Sequence, residues 1–254
     1  MLHLEDRDGV RTLRLDHGKA HALDRELTGA LRRAIAAARD DESVRAIVFT
    51  GTGGIFCAGV DLRRVLAGGA DYVERFVPEL VGAFHDLFAF PRPAVAAVNG
   101  HAIAGGCVLA AACDYRLMAE GNGTIGVPEL RVGVPFPLVA LEILRFATSP
   151  AHLQELVYRG KSYQVSEACR VGLVDEVTAP ARLVEEARAV AARLASDPAA
   201  RFRITKRQLR RPVLDRIARY AGETDAQVVE EWKNPRTLEA IREYMDEVKR
   251  RRRP

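Results

Sequence analysis

The chain has 254 residues, of which 48% are hydrophobic and 28% are charged, and its formal net charge is +4. This balance is typical of soluble globular proteins and excludes intrinsically disordered and fibrous classes. The sequence contains no run of eighteen or more uncharged apolar residues, so it predicts no membrane-spanning helix.

Neither end of the chain resembles a targeting segment. Residues 1–6 are partly acidic and lack the apolar core of a signal peptide. The last three residues, Arg252, Arg253 and Pro254, are not a peroxisomal tripeptide. We therefore expect a cytoplasmic location. The basic run from Lys249 to Arg253 is interpreted as a solvated helix end rather than a nucleic-acid-binding tail.

The cysteines are interpreted as reduced and mostly buried. They show no paired CxxC spacing and lie in apolar or glycine-containing segments, at Cys57, Cys107, Cys113 and Cys169. This pattern predicts neither disulfides nor a zinc site. We expect no metal.

The first half of the chain alternates strand and helix signals. Apolar residues on both sides of Asp8-Gly9 predict a β-hairpin. Asp24 can cap a helix whose apolar residues follow the 3.6-residue period. Ser43–Thr50 reads as a buried strand that stops at Gly51, and a glycine-rich loop leads to a helix from about Asp61.

The next segments repeat this order. Ala94–Val98 and Tyr115–Ala119 are predicted strands, and Ala104–Ala112 is a predicted small-residue helix between them. Ile125-Gly126 is predicted to open a loop that carries Pro128-Glu129. Strand, loop and helix in this repeating order indicate an α/β domain built on βαβ units.

The character of the sequence changes near residue 180. Four helices without intervening strands are predicted, at Pro180–Ser196, Pro198–Arg211, Leu214–Glu231 and Pro235–Arg253. The predicted division is an α/β core over residues 1–180 and a helical segment over residues 181–254.

Two strand-to-helix turns are candidates for ligand contact. In Ile55–Leu62, small residues at Ala58 and Gly59 allow close approach of a ligand to the backbone. In Asn99–Cys107, glycines open a helix whose free N–H groups favour an anion. The second segment is not a GxGxxG fingerprint, which argues against a dinucleotide site. Ordinary structural turns are the alternative in both places.

The third candidate segment carries an acidic residue. In Gly126–Gly133, Glu129 has apolar neighbours that would raise the pKa of its carboxyl toward the range of a general base. A surface glutamate beside a proline turn is the alternative. His101 is a further possible base, but without a partner carboxylate or nucleophile in view we interpret it as structural.

Together these segments resemble the enoyl-CoA hydratase/isomerase (crotonase) superfamily, from near residue 1 to near residue 250. The matching elements, in chain order, are Ala58–Asp61 (A-G-x-D), Asn99–Cys107 (N-G-x-A-x-x-G-G-C), Cys113-Asp114, Gly126–Glu129 (G-x-P-E) and Gly172–Asp175. The resemblance implies a crotonase-like spiral of ββα units with a helical C-terminal segment that acts in trimerisation or as a lid. It also implies a homotrimer or a dimer of trimers.

The resemblance also implies the site residues. The catalytic residues would be Glu129 as base, with the backbone N–H groups of Val60 and Gly105 as the oxyanion hole. The substrate would be an acyl-CoA thioester, so that coenzyme A is part of the substrate and no separate cofactor is needed. It would contact Ala22, Cys57, Ala58, Gly59, Val60, Asp61 and Gly105. No nucleic-acid or membrane partner is expected.

One residue departs from the pattern of family hydratases, and this difference affects which reaction is predicted. Family hydratases carry a second glutamate on the helix after the glycines, where this sequence has Val108, which can neither donate nor accept a proton. A double-bond shift needs only one base. The chain also resembles mitochondrial-type Δ3,Δ2-enoyl-CoA isomerases, so an isomerase of fatty acid metabolism is expected.

Several alternatives stay open. They are thioester hydrolysis, weak hydration with Glu79 or Asp71 as the second acid, and non-catalytic binding of acyl-CoA or RNA. The bulky residues Phe76, Leu80, Phe84, Phe136 and Trp232 are interpreted as core, with an acyl tunnel as the alternative.

Overall fold

The computed structural model describes residues 1–196 and 199–251. Its strands are β1 (Leu2–Arg7), β2 (Val10–Leu15), β3 (Ala46–Gly51), β4 (Ile55–Cys57), β5 (Ala94–Val98), β6 (His101–Ile103), β7 (Tyr115–Ala119), β8 (Thr124–Gly126), β9 (Ser162–Gln164) and β10 (Glu176–Thr178). Its helices are α1 (Arg25–Asp40), α2 (Leu62–Phe88), α3 (Gly105–Ala112), α4 (Glu129–Val132), α5 (Leu138–Ala147), α6 (Pro150–Tyr158), α7 (Val165–Arg170), α8 (Leu183–Leu194), α9 (Ala199–Lys233) and α10 (Pro235–Arg251).

The strands form two sheets. The larger sheet has the order β1-β2-β3-β5-β7-β10, and the smaller has the order β4-β6-β8-β9. In the larger sheet, β1 and β2 pair antiparallel around the Asp8-Gly9 turn, and the remaining neighbours are parallel. Each of β3-β4-α2, β5-β6-α3 and β7-β8-α4 sends one strand to each sheet before its helix. This is the predicted α/β spiral of ββα units.

Helices α1 and α2 begin where the sequence predicted, and α1 begins at its predicted cap. Asp24 accepts a 2.8 Å hydrogen bond from the N–H of Leu27 at the start of α1, and Asp61 accepts from the N–H groups of Arg63 and Arg64 at the start of α2. A side-chain oxygen at this position satisfies N–H groups that have no intrahelical partner. Local sequence therefore determines where both helices begin.

The main hydrophobic core lies between the two sheets and helices α1, α2, α3, α5 and α9. A second cluster lies where α8 covers the other face of the larger sheet, with Leu183, Ala187 and Ala191 packed against strand residues such as Val48 and Val95. The division at residue 180 stays a prediction. None of the helices within residues 1–196 and 199–251 has the length and apolar character needed to cross a membrane.

The cysteines behave as predicted. Cys57, Cys107 and Cys113 are buried, Cys169 is half-buried, and all four are free thiols. Burial raises the pKa of Cys57 to about 12 and that of Cys113 to about 12. These thiols are therefore protonated and inert near neutral pH.

Two predictions in the first 180 residues were wrong in detail. The strand predicted at Ser43–Thr50 begins only at Ala46, because the N–H of Ser43 donates to the Asp41 carboxylate and belongs to a turn. Glu129 does not lie in a loop but is the first residue of the short helix α4. That helix ends at Gly133, whose φ of 93° is the left-handed conformation that commonly closes a helix.

The C-terminal helices also differ from their predicted bounds. The helices predicted at Pro198–Arg211 and Leu214–Glu231 form one helix, α9, which continues through Pro212. Proline removes one helical hydrogen bond, but Arg210 before it and Val213 after it are both buried. Tertiary packing therefore outweighs the local break. The helix predicted at Pro180–Ser196 is the shorter α8, Leu183–Leu194. The predicted helix ends Pro198 and Arg253 lie outside the described residues, as does Arg252 of the basic run.

Candidate active site

Two strand-to-helix turns lie in contact. The turn after β4 leads through Ala58 and Gly59 to α2, and the turn after β6 leads through Ala104 to α3. Gly59 has a φ of 82°, and a Cβ built on it would lie 2.6 Å from the Cβ of Ala104. A side chain on Gly106 would collide with the carbonyl oxygen of Cys57. Glycine is therefore required at both positions for this approach.

Asn99, which follows β5, links the end of β3 to the loop that leads to β4. Its side-chain oxygen accepts a 2.9 Å hydrogen bond from the N–H of Gly51, and its amide donates at 2.7 Å to the carbonyl of Gly53. The asparagine of the N-G element is thus a structural residue. It joins the ends of β3 and β5.

The N–H groups of Val60 and Gly105 lie in these two turns. Leu23 pairs with Val60 as an isolated parallel bridge, in which Leu23 donates to Gly59 and accepts from Asp61. Hydrogen bonds from residues on both sides of Val60 leave its own N–H on the other side of the strand. Gly105 is the first residue of α3, where an N–H has no intrahelical partner. Within residues 1–196 and 199–251, neither N–H donates a hydrogen bond to a protein atom.

The residue before Gly105 has an unusual backbone conformation. Ala104 has a φ of 54° and a ψ of −126°, a conformation that favours glycine. Such strain persists only where the surrounding structure enforces it, and it is common at functional sites. Here it turns the chain so that Gly105 begins the helix next to Gly59.

A cavity of about 90 Å³ brings the predicted catalytic residues together. Val60, Gly105 and Glu129 all line it, and Val108 lines it as well. Its wall is otherwise apolar and consists of Ala58, Leu62, Leu80, Phe84, Ile103, Ala104, Pro128, Val132, Val134, Phe136, Pro137, Ala140, Trp232 and Tyr244. Three predictions made from separate segments therefore meet in one place.

The remaining predicted substrate contacts lie beside the cavity. Ala58 lines it. Cys57 is buried behind it, and its thiol donates to the carbonyl of His21. Gly59 and Asp61 hold the turn through their backbone bonds to Leu23. Ala22 is half-buried next to Leu23.

Glu129 is a buried carboxyl group with one unpartnered oxygen among the described residues. The residue is 9% exposed, and its Oε2 atom has no hydrogen-bond partner among the described residues. Removal from water raises the pKa of Glu129 to about 8, because the charged form loses its hydration. Near neutral pH this group can both take up and release a proton.

Few other polar side chains face the cavity. The indole N–H of Trp232 donates at 3.0 Å to the carbonyl of Pro135, and Tyr244 contributes a phenol. Among the described lining residues there is no second carboxylate. Glu79 pairs instead with Arg25 at 2.8 Å, and Asp71 is exposed on α2, so neither of these alternative acids lies at the cavity.

The structure also places His101 and the five bulky residues named from the sequence. His101 is exposed, and its Nδ1 bonds to the hydroxyl of Thr124 at 2.9 Å, in agreement with a structural role. Trp232, Leu80, Phe84 and Phe136 line the cavity, whereas Phe76 is buried in the core. Their interpretation as core alone was therefore incomplete.

Val132 and Val134 line the cavity beside Glu129, as expected of its apolar neighbours, but sequence reasoning missed Tyr244. The apolar spacing of Leu238, Ile241 and Tyr244 in α10 would have placed the tyrosine on the buried face of that helix. The cavity that it faces depends on how α10 packs, which no local pattern reveals.

One group outside the cavity has the residue types of a metal site. Ligand atoms of His17, Asp24 and Glu26 lie within 4.8 Å of one another. The Asp24 carboxylate already contacts His17 at 2.7 Å and Arg64 at 3.2 Å, which accounts for its burial. The absence of a metal from the reaction stays a prediction.

The chain matches a known family over nearly its whole length. The family model described as enoyl-CoA hydratase/isomerase matches residues 5–251. The carnitinyl-CoA dehydratase of Salmonella typhi is 34% identical over 194 residues, which are 76% of this chain and 74% of that protein. The crotonyl-CoA hydratase of Syntrophomonas wolfei is 31% identical over 205 residues, 80% of this chain and 78% of that protein.

The fold has a close counterpart among solved structures. Human mitochondrial delta3-delta2-enoyl-CoA isomerase superposes with a TM-score of 0.94 over 99% of both chains, at 21% sequence identity. That likeness concerns the fold. On the family match and the two curated relatives, the chain belongs to the enoyl-CoA hydratase/isomerase family, and it is an enzyme of that family.

Proposed function

We propose that this enzyme moves the double bond of a 3-enoyl-CoA to give the 2-trans-enoyl-CoA. The observation that carries the proposal is the single carboxyl group of Glu129 in an apolar cavity that also contains the free N–H groups of Val60 and Gly105. Val108 stands at the position of the second glutamate of hydratases and is buried against the same cavity.

The proposed reaction needs one proton and no other reactant. Ionised Glu129 removes a proton from C2 of the thioester, and the electron pair moves onto the carbonyl oxygen as a dienolate. The C3–C4 double bond then becomes C2–C3 when Glu129 returns the proton to C4. Atoms and charge balance, because the same proton leaves and re-enters the substrate.

The two backbone N–H groups stabilise the charge that forms in the transition state. We assign the thioester oxygen to a position between Val60 and Gly105, where both can donate. One such donor contributes about 3 kcal/mol of transition-state stabilisation. The turn from Cys57 to Asp61, together with Ala22 and Gly105, is assigned to contacts with the coenzyme A portion.

Hydration is the second candidate, and the names of the curated relatives favour it. Adding water to a double bond asks for one group that activates the water and one that transfers a proton to the α-carbon. Tyr244 is the one further proton-bearing side chain in the described wall of the cavity whose polar group has no hydrogen bond. A hydratase of this chain would therefore need the phenol as its second group.

Incubation of the purified protein with 3-enoyl-CoA and with 2-trans-enoyl-CoA separates these reactions. Isomerisation leaves the mass unchanged and increases the absorbance of the conjugated thioester. Hydration adds the mass of one water and decreases that absorbance, and thioester hydrolysis releases a free thiol. We expect isomerisation to be the fastest reaction. A 2-enoyl-CoA hydration rate above the isomerisation rate would overturn the proposal.

The assembly and location are proposed with the reaction. A homotrimer or a dimer of trimers and a cytoplasmic location stay predictions, as does a trimerisation or lid role for residues 181–254. Sedimentation of the purified protein tests the first.

A further inference from the structure

We propose that this site accepts short acyl groups, of about four carbons, and that Leu80 and Phe136 set this limit. The inference rests on the proposed binding of an acyl-CoA thioester at the cavity, but not on the direction in which a double bond moves. It concerns how much of the acyl chain the cavity can hold.

The volume of the cavity sets the size of the acyl group. The space lined by Val60, Gly105 and Glu129 measures about 90 Å³. A cavity of about 150 Å³ with apolar walls takes up benzene, which has six carbons. On that scale about 90 Å³ holds about four carbons, which is the length of a butenoyl group counted from its carbonyl carbon.

Most of the wall consists of packed core side chains. Leu80 and Phe84 lie one turn apart on α2 and are 2% and 1% exposed. Trp232 of α9 is 2% exposed, and its indole N–H is held by the carbonyl of Pro135. Close-packed interiors resist the displacement of such groups. A longer acyl chain therefore cannot be admitted by a simple rotation of these side chains.

Phe136 is the less firmly held part of the wall. It lies between α4 and α5, and it is half-buried, packed against the edge of the core. Its removal is expected to open space beside the cavity while leaving the core intact. Removal of Leu80 from α2 would enlarge the cavity from a different side, so the two residues are independent tests of the same wall.

The test measures binding rather than turnover. Dissociation constants of saturated acyl-CoA thioesters of two to twelve carbons are determined by calorimetry for the wild-type protein. Each methylene that enters an apolar tunnel would tighten binding by about fourfold. We expect this gain to stop at about four carbons, with constant or weaker binding beyond six. A continued fourfold gain per methylene to ten carbons would overturn the inference.

Two variants and one matched control identify the wall. In Phe136→Ala and Leu80→Ala we expect the gain to continue for at least two further carbons. Phe146→Ala serves as the control, because Phe146 is exposed, packs on Phe88 and does not line the cavity; its length profile should equal that of the wild type. If neither enlarged variant shifts the limit, the assignment of these two residues is wrong.

The two proposals can fail separately. A length limit in binding together with no isomerisation of 3-butenoyl-CoA would contradict the proposed function and support the short acyl site. Isomerisation with binding that strengthens steadily to ten carbons would support the proposed function and contradict the limit.

Discussion

Two carboxyl groups near helix α3, half-buried Asp114 and buried Glu129, have opposite surroundings. Asp114, just beyond the C-terminal end of α3, contacts Lys206 and Arg210 at 2.7 Å each and accepts a 2.8 Å bond from the N–H of Ala94. Glu129 faces the cavity at the other end of α3, and its Oε2 has no partner among the described residues. The same functional group is thus fully paired in one place and left alone in the other.

The difference shows which of the two is built for stability. Around Asp114, burial lowers the pKa of Lys206 to about 8 and lowers that of Arg210, while the aspartate opposes both shifts. Each charged group in this cluster is stabilised by its oppositely charged neighbours. In the cavity, burial alone raises the pKa of Glu129, an arrangement that costs stability and is useful for proton transfer. Substitutions should therefore separate activity from stability.

The largest expected effect is on catalysis. Glu129→Gln should lower kcat for isomerisation about 1,000-fold, because it removes the only assigned base, while the free energy of unfolding stays equal or rises. Steady-state kinetics and urea unfolding measure the two effects. The control is Glu142→Gln, at a buried glutamate that pairs with Arg216 outside the cavity. Near-full turnover of the Glu129 variant would refute the assignment.

The next effect is on stability. Asp114→Asn should lower the free energy of unfolding by about 3–5 kcal/mol, because it leaves Lys206 and Arg210 without their counter-charge. The kcat of the folded protein should change less than about threefold. Asp215→Asn, at an exposed pair with Arg211, should cost less than about 1 kcal/mol. Equal losses in both variants would show that the Asp114 cluster has no special role.

The pH dependence of stability distinguishes the two regions further. The raised pKa of Glu129 means that the folded state keeps a proton that the unfolded chain has lost between about pH 4.5 and 8. Its contribution to stability is thus complete below about pH 4.5 and is lost as the pH rises, by about 1.4 kcal/mol per pH unit. Lys206 has a lowered pKa, so between about pH 8 and 10.5 the unfolded chain keeps a proton that the folded state has lost. The free energy of unfolding therefore rises with pH in this range.

Unfolding measured across this range in the wild type and in Glu129→Gln isolates the glutamate. In the variant, we expect the free energy of unfolding no longer to fall as the pH rises toward 8. We expect its rise above pH 8 to stay. A fall that survives the substitution would place the proton uptake elsewhere.

The smallest expected effect concerns the second polar group of the cavity. Tyr244→Phe should change kcat for isomerisation less than about threefold, because the proposed reaction uses one proton carrier. The measurement is the rate of conjugated product formation from 3-enoyl-CoA. A loss of about 100-fold would show that two groups cooperate and would favour hydration as the reaction of this site.

Local signals in the sequence predicted much of the fold and the chemical part of the site. Asp24 and Asp61 marked two helix starts because capping depends on neighbouring residues alone. Val60, Gly105 and Glu129 were predicted from a family resemblance, and they line one cavity. The family resemblance predicted that these three residues lie close together, which their spacing along the chain does not show.

Long-range packing explains what was not predicted. Pro212 marks a helix end by local rules, yet α9 continues through it because the nearby Arg210 and Val213 are buried. The enclosure of the cavity by Trp232 and Tyr244 likewise depends on how α9 and α10 lie against α2. Neither contact has a signature within a short window of sequence.

The position of Trp232 and Tyr244 in the chain has a consequence for biosynthesis. Glu129 and both backbone amides have been synthesised more than 100 residues before Tyr244 is added. Until α9 and α10 dock, Trp232 and Tyr244 are missing from the wall of the cavity, and we expect the pKa of Glu129 to lie closer to its ordinary value of 4.5. The raised pKa of Glu129 is therefore expected to depend in part on helices that are synthesised after the residue itself.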